Sequence, residues 1–269
     1  MKPEQAEIHS NFWDETACSS NPFEPEACFC AGYDVYGDLL DKVSWIDYLF
    51  LLLKHEAPSP SQSGLLNALS VAIANPGPRD PCIQAAMSAG AGGSTSASSL
   101  MAAIAVGAGN TGGAREVATA MQGWQKCGQD LAKWTAYLKQ FEDDSWQASL
   151  EKDVWLPSEH IPGFNPHGTE CAPIVKQTLV YLSNLSDTIV LPWLQQNRLE
   201  LEVLAASPLA MTGVVAGAFI DLGFEPAQAE MLFLLLRLPG AAAHALEQYE
   251  LGWKNFPFFE QGLIVKGQG

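Results

Sequence analysis

Cations are scarce in this 269-residue chain: 14 Lys and Arg stand against 30 Asp and Glu, for a formal net charge of -16. A field of that sign repels phosphate backbones and anionic lipid, so nucleic acid and membrane surfaces are disfavoured partners. It also argues against a tight polyanionic cofactor site, which would gather several Lys or Arg. Long apolar runs are missing too. Tyr48 to Leu53, Met101 to Gly107 and Met231 to Leu236 fall far short of the roughly 20 residues of a helical span. Leu209 to Phe224 is longer, but Asp221 and several glycines interrupt it. Met1 to Trp13 is polar and acidic with no apolar leader segment, so the expected compartment is cytoplasmic with reduced thiols. The cysteines at 18, 28, 30, 82, 127 and 171 include no C-x-x-C pair. Cys18, Cys28 and Cys30 lack an obvious fourth ligand, so no metal is expected. Alternating β-branched residues are nearly absent, which counts against sheet architectures.

What is present is helical periodicity. With 48% hydrophobic and 16% charged residues, the chain falls among ordinary globular proteins of one or two domains. Asp38 to His55 spaces Leu39, Leu40, Val43, Ile46, Leu49, Leu52 and Leu53 by threes and fours before Pro58. Further helices are expected over Ser61 to Ala74, Ser94 to Gly107, and in one long element from Gly113 to Phe141. Later ones are expected over Ala172 to Leu185, Thr188 to Leu204, Leu209 to Leu222, Pro226 to Leu236 and Gly240 to Trp253. The fold class is all-α, with no repeat of fixed period. Residues 1–31 carry Pro3, Pro22 and Pro25 and no periodic face, and are expected to form an extended arm. A polar break at Asp143 to Pro173 divides the rest, 32–269, with a smaller loop-rich subdomain at roughly 115–205. Phe256-Pro257-Phe258-Phe259 reads as a tail that packs on a partner subunit.

Several short segments then occur in one order. Gly32-Tyr33-Asp34-Val35 precedes Lys42-Val43-Ser44-Trp45 and Tyr48 to Leu53; Gly112-Gly113-Ala114 follows an Ala/Gly-rich helix. Ile161-Pro162-Gly163-Phe164 comes next, then Ile220-Asp221-Leu222-Gly223-Phe224, then Arg237-Leu238-Pro239-Gly240 with Ala243-His244-Ala245. Together these resemble the citrate synthase and citryl-CoA lyase superfamily, most closely its short, lyase-like members, over Gly32 to Gln248. The resemblance implies a helical fold with a large domain and a reduced small one. It implies metal-free Claisen or retro-Claisen chemistry on a coenzyme A thioester, and a homodimer or heterodimer of helical chains. No resident cofactor is implied, the coenzyme A ester being substrate.

That chemistry needs a carboxylate to take the α proton, a donor for the enolate oxygen, a second donor for the ketone, and an arginine clamp. By the resemblance, the enolate-side His falls at Thr111, preceded by Asn110. Where the ketone-side Gly-His falls, Asn165 and Pro166 stand, with His167 one residue late, and the catalytic carboxylate falls at Thr212. Arg237 persists as the substrate-binding arginine, and His244 behind it. A substrate-side His in the first block reads as Asn75-Pro76-Gly77. Neither Thr nor Asn replaces a carboxylate in proton abstraction. Each position also has a plainer reading. Thr111 or Asn110 caps the helix that follows, His167 is a solvated loop residue, His244 bonds backbone, and Arg237 has a carboxylate partner rather than an anionic ligand.

Two functions follow. One is a non-catalytic or regulatory subunit that keeps a carboxylate-binding remnant and acts by association. The other is an acyl-CoA lyase or acyltransferase that uses altered residues on a small carboxylate or CoA ester.

Overall fold

A computed structural model describes residues 8–21, 23–141 and 160–256. Most of the polar break expected at Asp143 to Pro173 and the aromatic tail beyond Phe256 lie outside the described residues.

The chain begins with a three-stranded antiparallel sheet, not an extended arm: β1 (Trp13–Ala17), β2 (Pro25–Cys30) and β3 (Tyr33–Asp34), in that order. The reason lies in β2, where Cys28 and Cys30 alternate inward while Trp13 pairs with Cys30 across the ladder. Two small thiols are a weak periodic signal, and a sheet this short shows little alternation to read. All six cysteines are free, and among the described residues no group of three His, Cys, Asp or Glu could hold a metal ion.

Among the described residues ten α-helices follow: α1 (Trp45–Lys54), α2 (Pro60–Ile73), α3 (Pro81–Ala91), α4 (Ser96–Gly107), α5 (Ala114–Cys127), α6 (Leu131–Lys139), α7 (Pro173–Leu185), α8 (Val190–Leu204), α9 (Met211–Asp221) and α10 (Pro226–Leu251). The first expected helix starts late, because a single π-turn over Val35–Leu39 precedes it and the Ser44 hydroxyl accepts from Asp47 N to cap α1. The element expected from Gly113 to Phe141 is two helices: Gly128 takes φ +53, and the Asp130 carboxylate caps α6. α3 was not expected at all; its polar-poor sequence, Pro-Cys-Ile-Gln-Ala-Ala-Met-Ser-Ala-Gly-Ala, buries one face without a strong stripe.

α10 joins two segments expected to be separate. Pro239 sits inside it, and Gly240 N donates to Ala74 O at 3.0 Å, at the end of α2. A Cβ at Gly240 would lie 2.4 Å from that oxygen. The helix therefore tolerates its proline because a neighbouring element accepts the hydrogen bond that the break releases. α10 alone among the described helices is long and apolar enough to cross a membrane, yet it packs against α3, α4 and α5 as a core helix.

The main core gathers α2, α5, α7, α8, α9 and α10 around Leu66, Met121, Leu182, Leu191 and Phe219, all fully buried. Asp221 at the end of α9 locks this packing. Its carboxylate accepts from Val190 N at 3.0 Å and Leu191 N at 2.9 Å, holding the start of α8, and from Ser186 Oγ. A buried acid on two backbone donors supports the fold and takes no part in the cavity described next.

Candidate functional site

A cavity of about 500 Å³ opens where the ends of α2, α3, α5 and α9 meet the middle of α10 and the loop that carries His160 to His167. Thr111, Asn165, His167, Thr212 and Arg237 all line it, as do Asn75 and Pro76. Three of the ordered segments, those of Gly112, Phe164 and Arg237, thus converge on one place. Asn110 and His244 do not line it: Asn110 is exposed, and His244 lies behind Asn75, its Nε2 3.1 Å from Asn75 Oδ1 and its Nδ1 3.4 Å from Glu247.

Sequence reasoning missed the residue at the centre. Glu116, third residue of α5 and 2% exposed, accepts hydrogen bonds from Thr212 Oγ1 at 2.6 Å and Gly163 N at 2.9 Å. Gly112 N donates to its other oxygen at 2.5 Å, and His160 Nε2 lies 3.5 Å from that oxygen. Burial alone would push this carboxyl up; the donors of His160, Thr212, Gly163 and Gly112 outweigh it and hold it below the ordinary glutamate range. This arrangement also replaces the expected cap. The first residue outside α5 is Gly113, no side chain caps it, and neither Thr111 nor Asn110 takes that role. Glu116 reaches back instead, as the third residue of a helix often does toward its own first donors.

Two glycines permit the convergence. Gly163 has φ +89, and a Cβ on Gly213 would lie 2.4 Å from Gly163 O. The loop can therefore lie directly on the start of α9, with Ala210 N donating to Gly163 O and Asn165 N to Pro208 O. Phe164 pairs with Leu209 in an isolated bridge. The Asn165 side chain is partly engaged in its own turn, accepting from His167 N at 3.0 Å.

The opposite wall carries Arg237, 5% exposed. Its Nη1 donates to Gly112 O at 2.9 Å and its Nη2 pairs with Asp80. Its guanidinium carbon lies 4.9 Å from the Phe233 ring centre, while Nε makes no hydrogen bond. Of the two readings of Arg237, a carboxylate partner and an anionic ligand, the structure supplies the partner. Asp80 is itself fixed, capping α3 by accepting from Cys82 N at 2.9 Å. Signals for these residues existed: Glu116 stands two positions after Gly112-Gly113-Ala114, His160 directly precedes Ile-Pro-Gly-Phe, and Asp80 follows the Asn75-Pro76-Gly77 turn. None of the three stands at a position where the resemblance puts a catalytic group, so the motifs themselves do not mark them.

No protein-family model matches the sequence, and no curated protein matches it. Among solved structures, the fold matches citryl-CoA lyase from Hydrogenobacter thermophilus with a TM-score of 0.72 at 18% identity, covering 97% of this chain and 95% of that one. It matches ATP citrate lyase from Methanothrix soehngenii in complex with citrate and coenzyme A with a TM-score of 0.70 at 18% identity, covering 98% of this chain and 43% of that one. ATP citrate lyase from Methanosaeta concilii in complex with (3S)-citryl-CoA gives 0.68 at 18% identity, again over 98% of this chain and 43% of that one. The architecture is thus the citrate-synthase-like helical one. More narrowly, it is the fold seen in citryl-CoA lyase, over nearly the full length of both chains.

Proposed function

We propose that this protein is a ligand-binding, non-catalytic relative of the citrate synthase and citryl-CoA lyase superfamily, acting as a subunit in association with a second helical chain. The collinear segments and the shared fold support the relationship. The observation that carries the functional reading is the hydrogen bond from Thr212 Oγ1 to Glu116 at 2.6 Å. Where the resemblance puts a proton-abstracting carboxylate, this chain puts a hydroxyl, and that hydroxyl donates its hydrogen bond to a buried carboxylate. Glu116 does not replace the missing base. Four donors occupy its oxygens and hold its basicity low, whereas efficient general bases sit near neutral pH. The test is exchange of the acetyl-CoA methyl hydrogens in deuterated water, alongside cleavage of citryl-CoA. Both rates are expected to equal the buffer blank, and enzyme-dependent exchange would overturn the reading.

Association is supported by α4. None of its twelve residues is charged, and Met101, Ile104 and Val106 are exposed on it. An uncharged helix with an apolar outer face is poorly suited to water and well suited to a second copy or a related chain. Light scattering of the purified protein is expected to give twice the chain mass, and Met101→Glu with Ile104→Glu to halve it.

One observation favours an acyl-CoA lyase or acyltransferase instead. His160, at 9% side-chain exposure, lines the cavity with one ring nitrogen beside an ionised glutamate. That is how a carboxylate orients an imidazole for proton transfer. In the exchange experiment, this reading requires a signal that His160→Gln abolishes.

A further inference from the structure

We infer that the cavity takes an uncharged, largely apolar group bearing one or two hydrogen-bonding oxygens, and rejects di- and tricarboxylates. The inference rests on the ligand-binding reading above and names its ligand class. It follows from the charges facing the space. Arg237 is the one Lys or Arg among the described residues that line it. That cation is already neutralised: Asp80 pairs with Nη2, and Gly112 O accepts from Nη1. The pairing is built in rather than a chance rotamer. Asp80 lies between Arg79 and Pro81, its carboxylate caps α3 through Cys82 N, and Arg237 is stacked on Phe233.

The remaining acid, Glu116, leaves the Asp, Glu, Lys and Arg side chains among the described lining residues with one negative charge in excess. Arg79, beside Asp80 in the chain, is exposed and does not line the cavity, and two other cations nearby are engaged elsewhere. Arg115 pairs with Glu230 at 3.4 Å and Lys176 with Glu170 at 3.6 Å. A tricarboxylate entering here would have to displace Asp80 from Arg237 and then lie beside that displaced acid and Glu116. Like charges at such distances in a partly dry site cost far more than they do in water. The walls favour the opposite kind of molecule. Ile73, Phe164, Ile174, Met211 and Phe233 supply apolar surface, and Asn165 and Thr111 supply polar atoms at the edge. That combination of apolar walls with a few convergent polar groups suits a ketone, an amide or the acyl end of a thioester. Asp80 acts as a resident competitor for the arginine and so sets specificity by excluding carboxylates.

The test is binding to the full chain, followed by thermal shift and calorimetry. The probes are acetophenone, 2-heptanone, isobutyramide and S-phenyl thioacetate on one side, and citrate, oxaloacetate and succinate on the other, at constant ionic strength. At least one neutral probe is expected to raise the melting temperature, with the carboxylates giving no shift. Asp80→Asn should then raise citrate or succinate affinity about tenfold or more, equivalent to about 1.4 kcal/mol. Should Asp80→Asn fold poorly, Asp80→Ser serves in its place, because it keeps an oxygen to cap α3 at Cys82 N while removing the charge, and the same gain in carboxylate affinity is expected. Wild-type preference for citrate or oxaloacetate, no shift with any neutral probe, or unchanged carboxylate affinity in Asp80→Asn would each overturn the inference. None of these touches the question of catalysis, which proton exchange in acetyl-CoA decides separately.

Discussion

The two walls of the cavity solve the problem of a buried charge in opposite ways. On one side Glu116 is saturated by several small, fixed donors drawn from three elements: Gly112, Gly163, Thr212 and His160. On the other, Arg237 relies chiefly on one acid, Asp80, and one carbonyl, and keeps Nε unpartnered. Charges with complete hydrogen-bond shells behave as structural pins, and charges with open donors remain available to a ligand. The glutamate wall is therefore read as architecture. The arginine wall is read as the responsive part of the site.

The sharpest way to break the comparison is Glu116→Ala, which leaves two backbone N–H groups, the Thr212 hydroxyl and His160 without their acceptor. A loss of about 3–5 kcal/mol in unfolding free energy is expected from chemical denaturation. Arg237→Met should cost less, about 1–3 kcal/mol, because Asp80 at 18% side-chain exposure regains some water. Adding Asp80→Asn to that variant should return part of the loss, since two interacting partners removed together cost less than the sum of the single changes. A cost for Arg237→Met equal to that of Glu116→Ala would erase the distinction between the walls. Thr212→Val is the smaller cut, about 1 kcal/mol by the same assay, because Glu116 keeps its other donors.

How much of this was legible beforehand differs by region. Six of the helices stand where periodicity and breakers placed them, within a few residues, because α2, α4, α7, α8, α9 and both halves of α10 carry apolar spacing of their own. The failures have local causes. The N-terminal sheet is carried by Cys28 and Cys30, residues that no alternation rule weights. Gly128 breaks a run whose apolar spacing continues unchanged on both sides, so periodicity alone reads one helix. Pro239 should end a helix and does not, because the partner that takes the Gly240 hydrogen bond, Ala74, is distant in sequence. At the site, three of the ordered segments meet at the cavity, but its governing acids, Glu116 and Asp80, lie just outside the motifs they follow. Their roles depend on Thr212, Gly163 and Arg237 meeting them across the fold.

The finest discrimination between the walls comes from pH. Glu116 has its folded pKa depressed below the ordinary 4.5, burial opposing and the donors prevailing. Its ionised form therefore contributes stability that is fully present above about pH 4.5 and is lost as pH falls through the lower, folded value. In Glu116→Gln no such contribution exists, so the stability gap between wild type and this variant should be constant near neutrality and shrink below about pH 4.5. Asp47, whose carboxyl is also held low, burial being outweighed by Ser63 and Ser44, is common to both proteins and cancels. Denaturation curves of the two proteins from pH 7 downward, about half a unit apart, supply the test. A gap that stays flat to pH 3 would mean that Glu116 is not held ionised by its donors. The glutamate wall would then lose its standing as a pin, and Glu116 would return to consideration as a proton acceptor in the cavity.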